Sequence, residues 1–251
     1  MRLVKRYFDL IDADGHFLIG YDAVAQMGPL PLRYRALLSS HPEFNRQQLS
    51  LQREAARVED FPRSLRFGGE VSWLCSSSPV SNGGELRSGP ISWRVHAIGD
   101  GMHAACGESI LAGRGYSETV TLEAPPWRLG LNKIRWGRFL GTRHSAVWNV
   151  ATGANAYAFA AFDDEFDTAP RLSEDCIETE AGRITLGRRV RTVHEGDVLE
   201  RELSMLAPLI RVLHGGAYRV VQLKHVREAR LAPRHGEPED GLAMDETVVL
   251  G

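Results

Sequence analysis

The sequence predicts an all-β protein built in two consecutive halves. Three observations carry this. Short runs of apolar and aromatic residues alternate with period two. Turn residues separate those runs at intervals of 8–14 residues in the second half. Helical patterns do not recur between them, so a barrel or sandwich is expected rather than a βαβ fold.

The first strands lie in "RYFDLI" and "HFLIGYDAVA", joined through Asp12-Ala13-Asp14-Gly15. Asp14-Gly15 is a hairpin signal because both residues tolerate positive φ. The acidic turn lacks the downstream glutamate and ligand spacing of a calcium loop. "HPEFNRQQLSLQREAARVED", His41–Asp60, reads differently. It contains no glycine, Pro42 suits a first helical turn, and Phe44, Leu51, Ala55 and Val58 recur at helical spacing. One helix is therefore expected there, ended by Pro62.

Strands resume in "SLRFGGEVSWLC" and "GPISWRVHAI", with "SSSPVSNGGELRSG" as a surface loop between them. Two more are expected at Ser109–Leu111 and Tyr116–Leu122. The prolines of "EAPPWRLG" break the pattern, which places a domain boundary near residue 125: residues 1–125 and 126–251. Beyond it, "NKIRWGRFLG", "HSAVWNVA", "NAYAFAAF", "ITLGRRVRTV", "VLERELSM", "YRVVQLKHVREARL" and "AMDETVVL" read as strands. The acidic "FDDEFDTAPRLSED" reads as a solvated connection.

Composition narrows the function. The 251 residues are 43% hydrophobic and 25% charged, the balance of a globular protein. A net charge of −2 gives no reason to expect nucleic acid as a partner. No apolar run is long enough for an integral membrane segment. No signal-peptide pattern is seen, so a cytoplasmic location is expected. The three cysteines, Cys75, Cys106 and Cys176, fit neither a disulfide framework nor a zinc site. There is no P-loop, no G-x-S-x-G elbow and no H-E-x-x-H. No cofactor and no metal are expected; the oligomeric state is open.

Period two then groups side chains. Tyr116, Glu118, Val120 and Leu122 share one strand face. Ile134, Trp136 and Arg138 share another, opposite Arg135, Gly137 and Phe139. His144, Ala146, Trp148 and Val150 align on a third. The expected interior combines Tyr116, Glu118, Trp136, Arg138, His144 and Trp148. Gly137 leaves room for a close neighbour or a bulge. A carboxyl group buried among aromatic rings can act as a general acid, and the rings can stabilise a developing cation. The competing reading makes Glu118 half of a structural ion pair with Arg138 or Arg135. Glu246 shares a face with Val248 and is read as a rim salt bridge; His225 is read as structural.

Several short stretches, in order along the chain, resemble the carotenoid 1,2-hydratase (hydroxyneurosporene synthase) and AttH-like family. "KRYFDLIDADGHFLIGYDAVAQMGPLPLRY" is similar to that family's opening strand, D-G hairpin and Gly-Pro loop. "GPISW" and "GRGYSE" resemble its G-P-x-x-W and G-x-G-Y-x-D/E segments. "IRWGRF" with "VWNV" resembles its W-x-W-G-R region, and "EDGLAMDETVVL" its closing strand.

The resemblance implies two consecutive lipocalin-like barrels and cofactor-independent chemistry on an apolar small molecule. It places the family's acid on Glu118. Where the hydratases carry Y-H-D-x-N-W-G, Ser117 replaces the histidine and "TVTLEAPPW" follows. That departure favours a cyclase or isomerase of a polyene, terpenoid or polyketide, including a Diels–Alder-type cyclase, over a double-bond hydratase. Catalytic roles then fall to Glu118, Arg138 and His144. Tyr116, Trp136, Trp148 and Tyr21 would contact substrate. The rival readings are a non-catalytic carrier of an apolar molecule and a structural protein with filled barrels.

Overall fold

The structure, a computed structural model, describes residues 1–40, 46–51, 64–67, 71–75, 85–106, 109–163, 165–198 and 219–251. The chain divides into two compact units, Met1–Pro126 and Trp127–Gly251. Each contains one antiparallel nine-stranded sheet, curled as a half-barrel of the lipocalin-like kind.

In the first unit the strands are β1 (Arg2–Ile11), β2 (Phe17–Met27), β3 (Leu30–Ser39), β4 (Arg46–Leu51), β5 (Ser64–Phe67), β6 (Val71–Cys75), β7 (Glu85–Ser88), β8 (Ile91–Cys106) and β9 (Ser109–Leu122). Their order is β4-β3-β2-β1-β9-β8-β6-β5, with β7 paired to β8. The last strand thus returns to pair with the first. The β1–β2 turn is built as its sequence demands: Gly15 takes φ 75°, and the Asp12 carboxylate accepts the backbone N–H groups of Asp14 and His16 at 2.9 and 2.8 Å. Asp12, Asp14 and His16 converge there, but the Asp12 oxygens already serve the turn.

The expected helix does not form over residues 46–51. That segment is strand β4, antiparallel to β3 with Leu32 opposite Leu51. An open sheet edge supplies backbone partners that overrule local helix preference. The remainder of the expected helix, 41–45 and 52–60, lies outside the described residues. So does most of "VLERELSM".

The second unit has β10 (Leu131–Leu140), β11 (Ser145–Gly153), β12 (Tyr157–Phe162), β13 (Glu165–Asp167), β14 (Arg171–Ser173), β15 (Cys176–Glu178), β16 (Gly182–Asp197), β17 (Val220–Pro233) and β18 (Glu239–Leu250). Their order is β13-β12-β11-β10-β18-β17-β16-β15-β14. Here too the first strand lies between the second and the last. The acidic "FDDEFDTAPRLSED" carries β13 and β14 rather than being a plain connection. Arg135 helps fix it by donating to the carbonyls of Ser173 and Glu174.

Each sheet packs one face on an apolar cluster. In the first unit it includes Phe8, Leu10, Leu18, Leu37, Ala97, Met102 and Ala104. In the second it includes Phe139, Ala146, Trp148, Ala160, Phe162, Ile177 and Leu231. No helix among the described residues is long and apolar enough to cross a membrane.

Candidate functional site

The opposite face of the first sheet is also buried, but it is aromatic and polar. Register places Tyr7 of β1 directly across from both Tyr21 of β2 and Glu118 of β9. Residues paired directly across a ladder share a face, so these three lie in one row. Asp9 lies across from Tyr116 in the next row. Val95 of β8 lies across from Glu118, and Trp93 shares its face two residues earlier.

These side chains are in contact. Glu118 is 5% exposed. Its Oε2 accepts from Tyr116 Oη at 2.8 Å and from the Trp93 indole N–H. Tyr7 Oη donates to Asp9 Oδ2 at 2.6 Å. The Tyr7 ring lies 5.3 Å from that of Tyr21 and 6.2 Å from that of Tyr116, both tilted. The Lys5 ammonium stands 4.5 Å above the Tyr21 ring. Among the described residues, two neutral donors hold this carboxyl group beside a wall of tyrosines. Such a group can move a proton or donate and accept a hydrogen bond in a fixed direction.

Of the residues singled out from sequence, Tyr21, Tyr116 and Glu118 belong to this cluster. Trp93, Tyr7 and Asp9 complete it. Period two could not find them, because it relates residues within a strand and not across strands. The available signal was Trp93 in "GPISW", two residues from Val95, within a motif already noted.

The other four lie in the second unit. Trp136 is directly across from Glu246 of β18 and Asn149 of β11, and Glu246 is across from Lys224 of β17. Lys224 Nζ is 2.8 Å from Glu246 Oε2 and 5.1 Å from the centre of the Trp136 ring. Gln222 Nε2 donates to Glu246 Oε1 at 2.6 Å. Arg138 is fully buried on the same face, one step along β10. Glu246 therefore forms a buried ion pair, not a rim salt bridge.

Trp148 is not with them. It pairs across from Gly137, on the other face, and belongs to the apolar core. A Cβ on Gly137 would stand 2.2 Å from the Trp148 ring, so the glycine provides the space for the indole. His144 precedes β11, with Nδ1 2.8 Å from Asp163 Oδ2. Its backbone N–H donates to the Glu239 carboxylate at 3.1 Å, which also accepts from the backbone N–H of Arg143. Arg135 is held bidentately by Asp245 at 3.0 and 3.2 Å, on the core side of the sheet.

No family model matches the sequence, and no curated protein does. Solved structures do match. A protein of Nitrosomonas europaea assigned as an AttH aligns with a TM-score of 0.52 and 10% identity, covering 98% of this chain and 92% of that one. CghA in complex with Sch210972 aligns with a TM-score of 0.53 and 9% identity, covering all of this chain and 89% of that one. The likeness is one of fold. At such identities it says nothing of individual site residues.

Proposed function

We propose that the chain is a cofactor-independent cyclase or isomerase acting on an apolar polyene, terpenoid or polyketide intermediate. The observation that carries this is the Glu118 carboxyl group, buried among Tyr7, Tyr21 and Tyr116 and oriented by the Tyr116 hydroxyl and the Trp93 N–H. The fold is shared with CghA, whose structure is known with Sch210972. That supports a small-molecule role.

In this reading Glu118 is the reacting group. Protonation of a substrate double bond by Glu118 leaves a cation, which the tyrosine faces stabilise. Loss of a proton from a neighbouring carbon restores the acid and gives an isomer of the substrate. In a pericyclic reaction Glu118 instead donates a hydrogen bond to a substrate carbonyl, and the wall holds the reactive conformer. Tyr21 and Tyr116 form that wall. Trp136 and Arg138 belong to the second unit and are given no part in the reaction at Glu118. Trp148 and His144 have none, the one being in the core and the other tied to Asp163.

Product mass tests the reading. Incubation with polyene, terpenoid and polyketide intermediates, followed by mass spectrometry, should give a new compound of unchanged mass. A gain of one water would make the chain a double-bond hydratase. Recovery of bound but unaltered compound would make it a carrier.

A further inference from the structure

Lys5 lies on the same face of β1 as Tyr7 and Asp9, one row before Tyr7. Directly across from it are Ala23 of β2 and Val120 of β9, and Val120 is across from Trp93 of β8. Burial deepens along this face. Lys5 is half-buried, Tyr7 is 1% exposed and Asp9 is fully buried. Lys5 therefore marks the rim of the tyrosine wall, and Glu118 lies one row further in.

A lysine at a rim ordinarily extends its ammonium into solvent. Here the ammonium is held over the wall, 4.5 Å from the centre of the Tyr21 ring and 5.8 Å from that of Tyr7. Ring faces attract the charge, but an ammonium also carries three hydrogen-bond donors. Among the described residues, no carboxylate stands within ion-pair distance of Lys5 and no oxygen accepts a hydrogen bond from it.

Lys224 in the second unit shows the contrast. Its ammonium stands 5.1 Å from the centre of the Trp136 ring and 2.8 Å from Glu246 Oε2. There a carboxylate of the chain answers the cation. At Lys5 the described part of the chain supplies rings alone.

An ammonium pinned over aromatic faces at the rim of a buried wall suits a compound with one anionic end and an apolar body. Lys5 and Glu118 are diagonal neighbours in the β1–β9 ladder, since Lys5 is across from Val120. Such neighbours lie about 7–8 Å apart. An anionic end at Lys5 thus lays the body on Tyr7 and Tyr21 and brings a carbon a few bonds away to Glu118.

We infer that Lys5 is a specificity-determining residue, binding the carboxylate of an apolar carboxylic acid whose chain lies along the tyrosine wall. This rests on the proposed function in one respect, that an apolar compound occupies the wall. It adds the chemical class of that compound's head group.

The test is fluorescence titration of the full chain with parinaric acid, a fluorescent polyene acid, and with its methyl ester. The wild type should bind the acid about tenfold more tightly than the ester, and added salt should narrow the difference. Lys5→Met should bind the acid about tenfold more weakly and the ester as the wild type does. Lys5→Arg, which keeps the charge, should keep the preference. Where Lys5→Met fails to fold, Lys5→Gln takes its place. Equal binding of acid and ester by the wild type, an unchanged preference in the folded variant, or equal loss of both compounds in it overturns the proposal and leaves the reading of Glu118 standing. Binding of neither compound by the wild type up to about 100 µM overturns it together with the apolar-substrate reading.

Discussion

Tyr7 stands directly across from Glu118 in the β1–β9 ladder, as Trp136 stands across from Glu246 in the β10–β18 ladder. In each unit the first and last strands therefore meet at an aromatic–glutamate pair. The surroundings differ. Glu246 is bound to the Lys224 ammonium, whereas the donors found on Glu118 are a phenol and an indole. A carboxylate tied to a cation serves chiefly to satisfy that cation. A carboxyl group oriented by a phenol and an indole is the better candidate for moving a proton.

Tyr116→Phe removes one donor from Glu118 Oε2 and leaves the ring in place; Trp93→Phe removes the other donor together with part of a fully buried ring system. Turnover of the substrate should fall by about 10- to 100-fold in each, with KM changed much less, because the loss is of orientation at the reacting group. Steady-state kinetics check this. A loss confined to KM would make both residues mere contact surface.

The Lys224–Glu246 pair is buried, so removing one partner strands the other charge. Lys224→Met should lower unfolding stability by about 3–5 kcal/mol. The double variant Lys224→Met/Glu246→Gln should recover part of that loss. Denaturant unfolding of the three proteins gives the coupling directly, and additive losses would show that the two residues do not depend on each other.

Gly137→Ala would place a methyl group 2.2 Å from the Trp148 ring and 2.6 Å from the Met244 carbonyl oxygen. Neither the packed indole nor the ladder backbone can retreat cheaply. A loss of at least about 2 kcal/mol is expected, seen as a lower thermal midpoint. An unchanged midpoint would mean that the β10–β11–β18 packing is looser than described.

His96 gives a pH dependence. Its native imidazole is depressed to about 4 by burial and by the Arg94 and Arg6 charges, from an ordinary value of 6.5. The unfolded chain therefore takes up a proton first as the pH falls. Stability is whole above about pH 6.5 and declines toward pH 4. The slope is below about 1.4 kcal/mol per pH unit, since the ring is only partly buried. His96→Gln should remove that part of the slope in urea unfolding series at pH 7, 5.5 and 4.5, taken as estimates that span the window. Parallel wild-type and variant curves would contradict it.

The all-β class and the faces within single strands were legible in the sequence, because they depend only on period two and turn chemistry. Trp136 and Arg138 against Gly137 and Phe139 is one example. The hairpin at Gly15 is another. Strand β3 was hidden by Pro29 and Pro31, and β4 by residues with helical preference that the β3 edge overrules. Trp148 shows a further limit. Its own strand face was read correctly, but a ladder shifted by one residue turns every side chain to the other side, and the shift is set by the partner strand. The same gap kept Tyr7 and Trp93 from being joined to Glu118.

The most direct test is single-turnover conversion of an apolar intermediate by the wild type and by Glu118→Gln, with binding of the same compound followed in parallel. The account predicts an isomeric product from the wild type and a rate about 100-fold or more lower in the variant, with binding retained. Equal rates in the two proteins would contradict it, as would return of the compound unaltered from both.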